Sequence, residues 1–288
     1  FAKIALIDIP PMTLVFLRVS IAAVALGLIL KASGSGLPGG GKLWTTFALM
    51  GLLNNLIPFS LLFWGQTHIG AGLASIFNSL TPLFTVLIAH VATQDERLSI
   101  GKSVGILLGL VGVTLIIGVD VTNGATGFTV LAMLACVAAA ASYGVASVYG
   151  RRFGAKRIAP MHVAFGQLAS TSVLMLPVMI ITDRPWSLGA PSATSWIAVL
   201  ILALLCTAIA YVLFFEILER GGATNISLVT FIVPVSAIIL SSLFLQETLS
   251  TNHVIGISLI LLGLGALDGR LQRRWSTTRH QKAIPCQN

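Results

Sequence analysis

Arg18 is a cation inside an apolar stretch, six residues after Met12. At about 1.5 Å of rise per helical residue it sits roughly 9 Å into a membrane leaflet, a depth at which a charge is costly and by default functional. A solute carboxylate is one fitting partner; snorkelling or pairing with helix-end carbonyls is the structural alternative. Polar residues elsewhere recur at helical spacing. Asn55, Phe59, Leu62 and Gln66 share one face, and Ser75, Asn78 and Pro82 another. Their counterparts 152 positions later are Thr207, Tyr211, Phe214 and Leu218, then Ser227, Thr230 and Pro234. One reading makes Asn55, Asn78, Thr207, Tyr211 and Thr230 hydrogen-bond partners of a polar solute, with Phe59 and Phe214 as apolar walls. The other makes them polar glue between helices. Tyr143, on a stripe with Cys136, Ala140 and Ser147, either reaches the same cavity or simply packs. Pro82 and Pro234 each remove a backbone bond in mid-helix and free a carbonyl, so both are expected to kink their helices.

Other chemistry is absent from the pattern. All nine carboxylates fall at the ends of apolar runs or between them, so no visible span carries an acid that could relay protons. His68, His90, His162 and His253 also lie at run ends, and His280 lies in the tail. Glu216 and Arg220 are spaced as an interfacial i,i+4 pair. The three cysteines form no C-x-x-C pair and no metal-ligand spacing. Neither a metalloprotease nor a nucleophile-elbow motif occurs. No cofactor, no metal and no catalytic residue is expected, and an intramembrane hydrolase would need a mid-span histidine that the chain lacks.

The elements that hold these residues follow from composition. The chain has 288 residues, 56% hydrophobic and 9% charged, with mean hydropathy +0.96; soluble domains carry about 25% charged residues. A water-soluble fold is excluded. Nine apolar runs are long enough to cross a bilayer: 12–30, 44–64, 72–91, 102–119, 128–148, 161–182, 195–217, 225–245 and 252–269. They lack the alternation of barrel strands, so helices must satisfy the backbone. Phe1 to Leu6 reads as the end of a tenth span whose beginning is missing. Of seventeen Lys and Arg, fourteen fall in connections on one side, including Lys31, Lys42, Arg151, Arg152 and the tail from Arg270 to Lys282. The opposite side holds Arg184. Positive loops stay in the cytoplasm, which places the C-terminus there, and the net charge of +8 reports orientation rather than nucleic-acid binding.

The chain repeats itself. Phe63, Gly70, Ala71, Ser75 and Pro82 return as Phe215, Gly222, Ala223, Ser227 and Pro234. Glu96, Gly105 and Gly112 return as Glu247, Gly256 and Gly263. Pro11, Met12 and Phe16 return as Pro160, Met161 and Phe165, with Arg18 replaced by Gln167. Each half holds five spans, an odd number, so equivalent loops face opposite sides and the repeat is inverted, with Glu96 on the positive face and Glu247 on the other. Secondary transporters are commonly built this way, with solute bound between the halves near the midplane. Gly101, Gly105 and Gly109 form a small-x-x-x-small ladder, fit for packing inside the bundle or for a dimer seam.

The stretch from Asn54 to Ala89, NNLIPFSLLFWGQTHIGAGLASIFNSLTPLFTVLIA, followed by Asp95-Glu-Arg-Leu98 and by Gly105 and Gly112, resembles the EamA family of the drug/metabolite transporter superfamily. Thr230-Phe-Ile-Val-Pro234 and Gln246-Glu-Thr-Leu249 resemble the same domain again. The resemblance implies an all-α, ten-helix bundle of two inverted five-helix repeats, here residues 1–119 and 127–269, followed by a basic tail, 270–288. It also implies a bacterial inner-membrane carrier of small metabolites, with amino-acid exporters among its relatives. The partners expected are a small solute and the lipid bilayer, with the chain a monomer or homodimer. A channel or receptor remains the alternative.

Overall fold

In lipid the backbone has only itself to bond to, and each apolar run accordingly closes into a helix. The computed structural model describes residues 1–93, 98–122, 124–214, 216, 229–247 and 250–267, with the side chains of 229–231 excepted. Its helices are α1 (Ala2–Ala5), α2 (Pro11–Ala32), α3 (Gly41–Gln66), α4 (Ala71–Ala92), α5 (Ile100–Thr122), α6 (Gly127–Ala155), α7 (Pro160–Thr182), α8 (Ala193–Phe214), α9 (Val229–Leu245) and α10 (Thr251–Leu267). Seven are long and apolar enough to cross a membrane, and α9 and α10 contribute shorter apolar helices. No strand occurs among the described residues. Glu96, Arg97, Arg220 and the basic tail lie outside the described residues.

Helix starts follow local chemistry. Pro11 and Pro160, repeat counterparts, open α2 and α7, where a missing N–H costs nothing. Thr126 accepts from Thr129 N and Ser192 from Ser195 N at the starts of α6 and α8. The outward faces stay apolar: Leu107 is 62% exposed, Val173 72% and Phe244 76%, a surface suited to hydrocarbon and not to water.

Counterpart helices pack on each other, α2 on α7, α4 on α9 and α5 on α10. The α5–α10 crossing demonstrates the inversion. A Cβ on Gly105 would meet Gly263 O at 2.6 Å, and one on Gly112 would meet Gly256 O at 2.6 Å. Since Gly105 is the counterpart of Gly256, and Gly112 of Gly263, residue i meets the counterpart of j while j meets that of i, as an isologous two-fold contact requires. The two helices therefore run antiparallel. The glycine ladder is spent inside the bundle, with Gly109 against Leu83.

Two features depart from uniform α-helix. In α4, helix Ala71–Asn78 stops, and Pro82 stands at the start of a second piece, Thr81–Ala92. The expected kink at Pro82 is thus a full break. Pro234 lies inside the continuous helix α9. In α3 and α8, Leu52–Leu56 and Ile201–Ile209 are π-helical, and they overlap when the repeats are superposed. Wide turns of this kind gather at functional sites.

Candidate solute chamber

The π turns decide which side chains meet. A stretch bonded i to i+5 rotates the remainder of its helix by about one residue relative to regular α-helix, so Asn54, five before Phe59, takes the cavity side that α-helical spacing assigns to Asn55. Asn55 is instead wholly buried; its amide reaches Thr171 Oγ1 at 3.5 Å, and its Oδ1 has no partner.

A cavity of about 240 Å³ is lined by Arg18, Asn54, Phe59, Tyr143, Cys206, Thr207, Ala210, Tyr211 and Phe214. Six residues singled out from the sequence, Arg18, Phe59, Tyr143, Thr207, Tyr211 and Phe214, are thereby brought together. Asn78 is not: with Lys3, Gln66 and Ser75 it lines a separate cavity of about 260 Å³, where Gln66 Oε1 and Asn78 Oδ1 are buried without partners. The single stripe expected along α3 is therefore divided between two cavities. Thr230 falls among the side chains that are not described. A groove of about 830 Å³ between α2 and α7 lies on the outside of the bundle against exposed Val24 and Leu28, with few polar groups.

Arg18 is held from two sides. Its Nε donates to Thr207 Oγ1 at 2.9 Å, and its guanidinium lies 4.0 Å over the Phe59 ring, a cation–π contact that strengthens when water is excluded. Phe59 stacks on Phe63 and meets Tyr143 edge-on. Thr207 in turn donates to Leu202 O, five residues back, at 2.7 Å, so the π turn itself orients the hydroxyl that positions Arg18.

Across the chamber sits an amide cluster. Asn54 Nδ2 donates to Gln167 Oε1 at 2.9 Å and to the Tyr211 hydroxyl at 3.2 Å, and Gln167 Nε2 donates to the same hydroxyl at 3.2 Å. Gln167 is the repeat counterpart of Arg18, and Asn54 adjoins the counterpart of Thr207. The α2–α8 contact is thus mirrored by α7–α3, with a cation in one copy and a neutral amide in the other. Sequence reasoning missed Asn54, Gln167 and Cys206; the Arg18/Gln167 equivalence was the available signal for Gln167.

The chamber meets a wider cavity of about 500 Å³ at Asn54, Tyr211 and Phe214, running past Ser147, Gly150 and Gly154 to Ile158 and Pro160. That mouth is on the basic face. On the opposite face, hydrogen bonds among the described residues tie the helix ends together. Glu247 accepts from Ala71 N at 2.8 Å and Gly72 N at 3.0 Å, capping α4, while Lys3 Nζ donates to Gln66 O and Ile69 O beside it. Asp183 accepts from Thr13 N and Oγ1, Asp8 from Ser192 and Ser195, and Asp120 pairs with His253. The Ser192 and Ser195 hydroxyls and the Ser192 N–H hold the Asp8 carboxyl below the ordinary carboxylate range. Among the described residues no cluster of His, Cys, Asp or Glu could hold a metal ion.

An inverted-repeat helical bundle enclosing a polar chamber, which among the described residues continues toward one membrane face and is tied at the other, is the architecture of a multi-pass membrane protein of the transporter class. The chain belongs to the EamA-like transporter family, whose model matches residues 1–118 and again 130–267. It is 28% identical to an uncharacterized transporter, YoaV, of Bacillus subtilis over 91% of this chain and 88% of that protein. It is also 28% identical to protein PecM of Dickeya dadantii, over 85% and 80% respectively. A solved crystal structure shares the fold at a TM-score of 0.66 and 23% identity, covering 95% of this chain and 92% of that one.

Proposed function

We propose that this protein is a secondary carrier that exports small organic metabolites bearing a carboxylate across the inner membrane by alternating access, without covalent chemistry. The observation that carries the reading is Arg18, held over Phe59 and bonded by Thr207 in a chamber between inverted halves. Arg18 attracts the carboxylate, Asn54 and Tyr211 bond the polar remainder, and Phe59, Tyr143 and Phe214 wall the apolar body. The positive-inside rule assigns the basic face, and with it the C-terminus, to the cytoplasm, so this state loads solute from within. Rocking one half against the other must then break the Glu247 cap and open the far face. Amino acids are the solutes that the family resemblance brings forward.

The test is flux of a solute panel through the full-length chain in proteoliposomes, with and without a pH gradient. Saturable flux stimulated by solute on the far side supports a carrier; flux linear in concentration supports a channel and refutes this reading.

A further inference from the structure

We propose that the chamber selects organic acids lacking an ammonium group, preferring a plain carboxylate to the zwitterionic amino acid with the same side chain. This rests on the carrier reading above and narrows its solute.

The charge balance comes first. Among the described residues no acid is bonded to Arg18, whose described hydrogen bond uses only Nε. Asp8, Asp183, Asp120 and Glu247 are each engaged at helix ends on the tied face. A monoanion entering the chamber cancels the guanidinium charge. A zwitterion brings its own cation, leaves the net charge in place and sets an ammonium a few Å from Arg18, where like charges repel.

Acceptors come second, because an ammonium presents three donors and needs oxygens to receive them. Thr207 Oγ1 already accepts from Arg18 and donates to Leu202 O. The Tyr211 hydroxyl already accepts from both Asn54 and Gln167. The wide turns present the carbonyls of Leu53 and Leu202, but these accept from the Ser142 and Thr207 hydroxyls, each at 2.7 Å. The aromatic face best placed for a cation, Phe59, is covered by Arg18 itself. The acceptors left in the chamber, Asn54 Oδ1 and the Tyr143 hydroxyl, are uncharged, and no carboxylate lines it among the described residues, so a carboxylate finds a full opposite charge there and an ammonium does not.

Matched pairs test this directly: hydrocinnamate against L-phenylalanine and isocaproate against L-leucine, each pair differing only by the amine. Cys206 lines the chamber, so occupancy is read as slowed alkylation of Cys206 by a maleimide on the purified full-length protein, quantified by mass spectrometry. Counterflow in vesicles is measured in parallel. The acid is expected to protect at a concentration at least about tenfold below that of its amino acid, with protection lost in Arg18→Gln and partly kept in Arg18→Lys. Equal or better protection by the amino acids, still lost in Arg18→Gln, overturns the selectivity and leaves the carrier reading standing. Protection by neither member of a pair overturns the inference as well. Absence of saturable counterflow for every solute refutes the carrier reading itself. The wild-type comparison stands even should an Arg18 variant fail to fold.

Discussion

The Glu247 cap sets how firmly the far face is held shut, and Glu247→Gln measures it. Each carboxylate oxygen accepts one backbone N–H, from Ala71 at 2.8 Å and Gly72 at 3.0 Å. A glutamine keeps the length but turns one acceptor into a donor facing an N–H, and it removes the negative charge from the start of a helix. A hydrogen bond to a charged group is worth about 1.5–3 kcal/mol and the charge–dipole contact about 0.3–1 kcal/mol. Allowing for the partial exposure of Glu247, the loss comes to about 2–3 kcal/mol, roughly 30- to 150-fold in the ratio of closed to open far face. Cys206 reports that ratio through labelling by an impermeant maleimide applied separately to each side of oriented vesicles. Glu247→Gln should raise labelling from the face bearing the α3–α4 turn. Gly70→Ala should reproduce the effect without touching the carboxylate's chemistry, because a Cβ there would come within 2.7 Å of Glu247 Oε2. Unchanged labelling from both faces in both folded variants would refute the assignment of this contact as the closure.

Three further outcomes are expected. Gly112→Ala, whose Cβ would meet Gly256 O at 2.6 Å, should cost about 1–3 kcal/mol, whereas Gly118→Ala on the same helix meets nothing within 4 Å and should be neutral or stabilising by up to about 1 kcal/mol; denaturant titration in micelles distinguishes them. Tyr211→Phe leaves the Asn54 and Gln167 amide donors without their shared acceptor, at a cost of about 1–3 kcal/mol, visible as a lower Tm and weaker solute protection of Cys206. Because the folded-state pKa of Asp8 is depressed, chiefly by the Ser192 hydroxyl, its contribution is present above the ordinary carboxylate pKa and is lost as pH falls through the lower folded value. Asp8→Asn should therefore flatten the acid limb of Tm against pH below about pH 4, and an unaltered limb would remove Asp8 from that account.

Much of this protein is legible in its residues because the bilayer leaves so few choices. Helices at each apolar run, the two-fold repeat and its inversion follow from hydropathy, from an odd number of spans per half and from the distribution of Lys and Arg, none of which depends on packing detail. Arg18 also declares itself, since a cation inside an apolar run is conspicuous wherever it lies. What only the tertiary structure decided is the angular position of side chains around α3 and α8. Helical spacing assumes 3.6 residues per turn, and one wide turn shifts the phase enough to bury Asn55 and bring Asn54 to the chamber. Asn78 and Gln66 belong to a second cavity, because α3 is long enough to border both that one and the chamber. Gln167, marked in the sequence only as the counterpart of Arg18, becomes a partner of Tyr211 only when the halves are folded face to face. Periodicity describes a helix alone, whereas a site between helices depends on how each is rotated against its neighbours, and those rotations are set by close contacts such as Gly105 against Gly263.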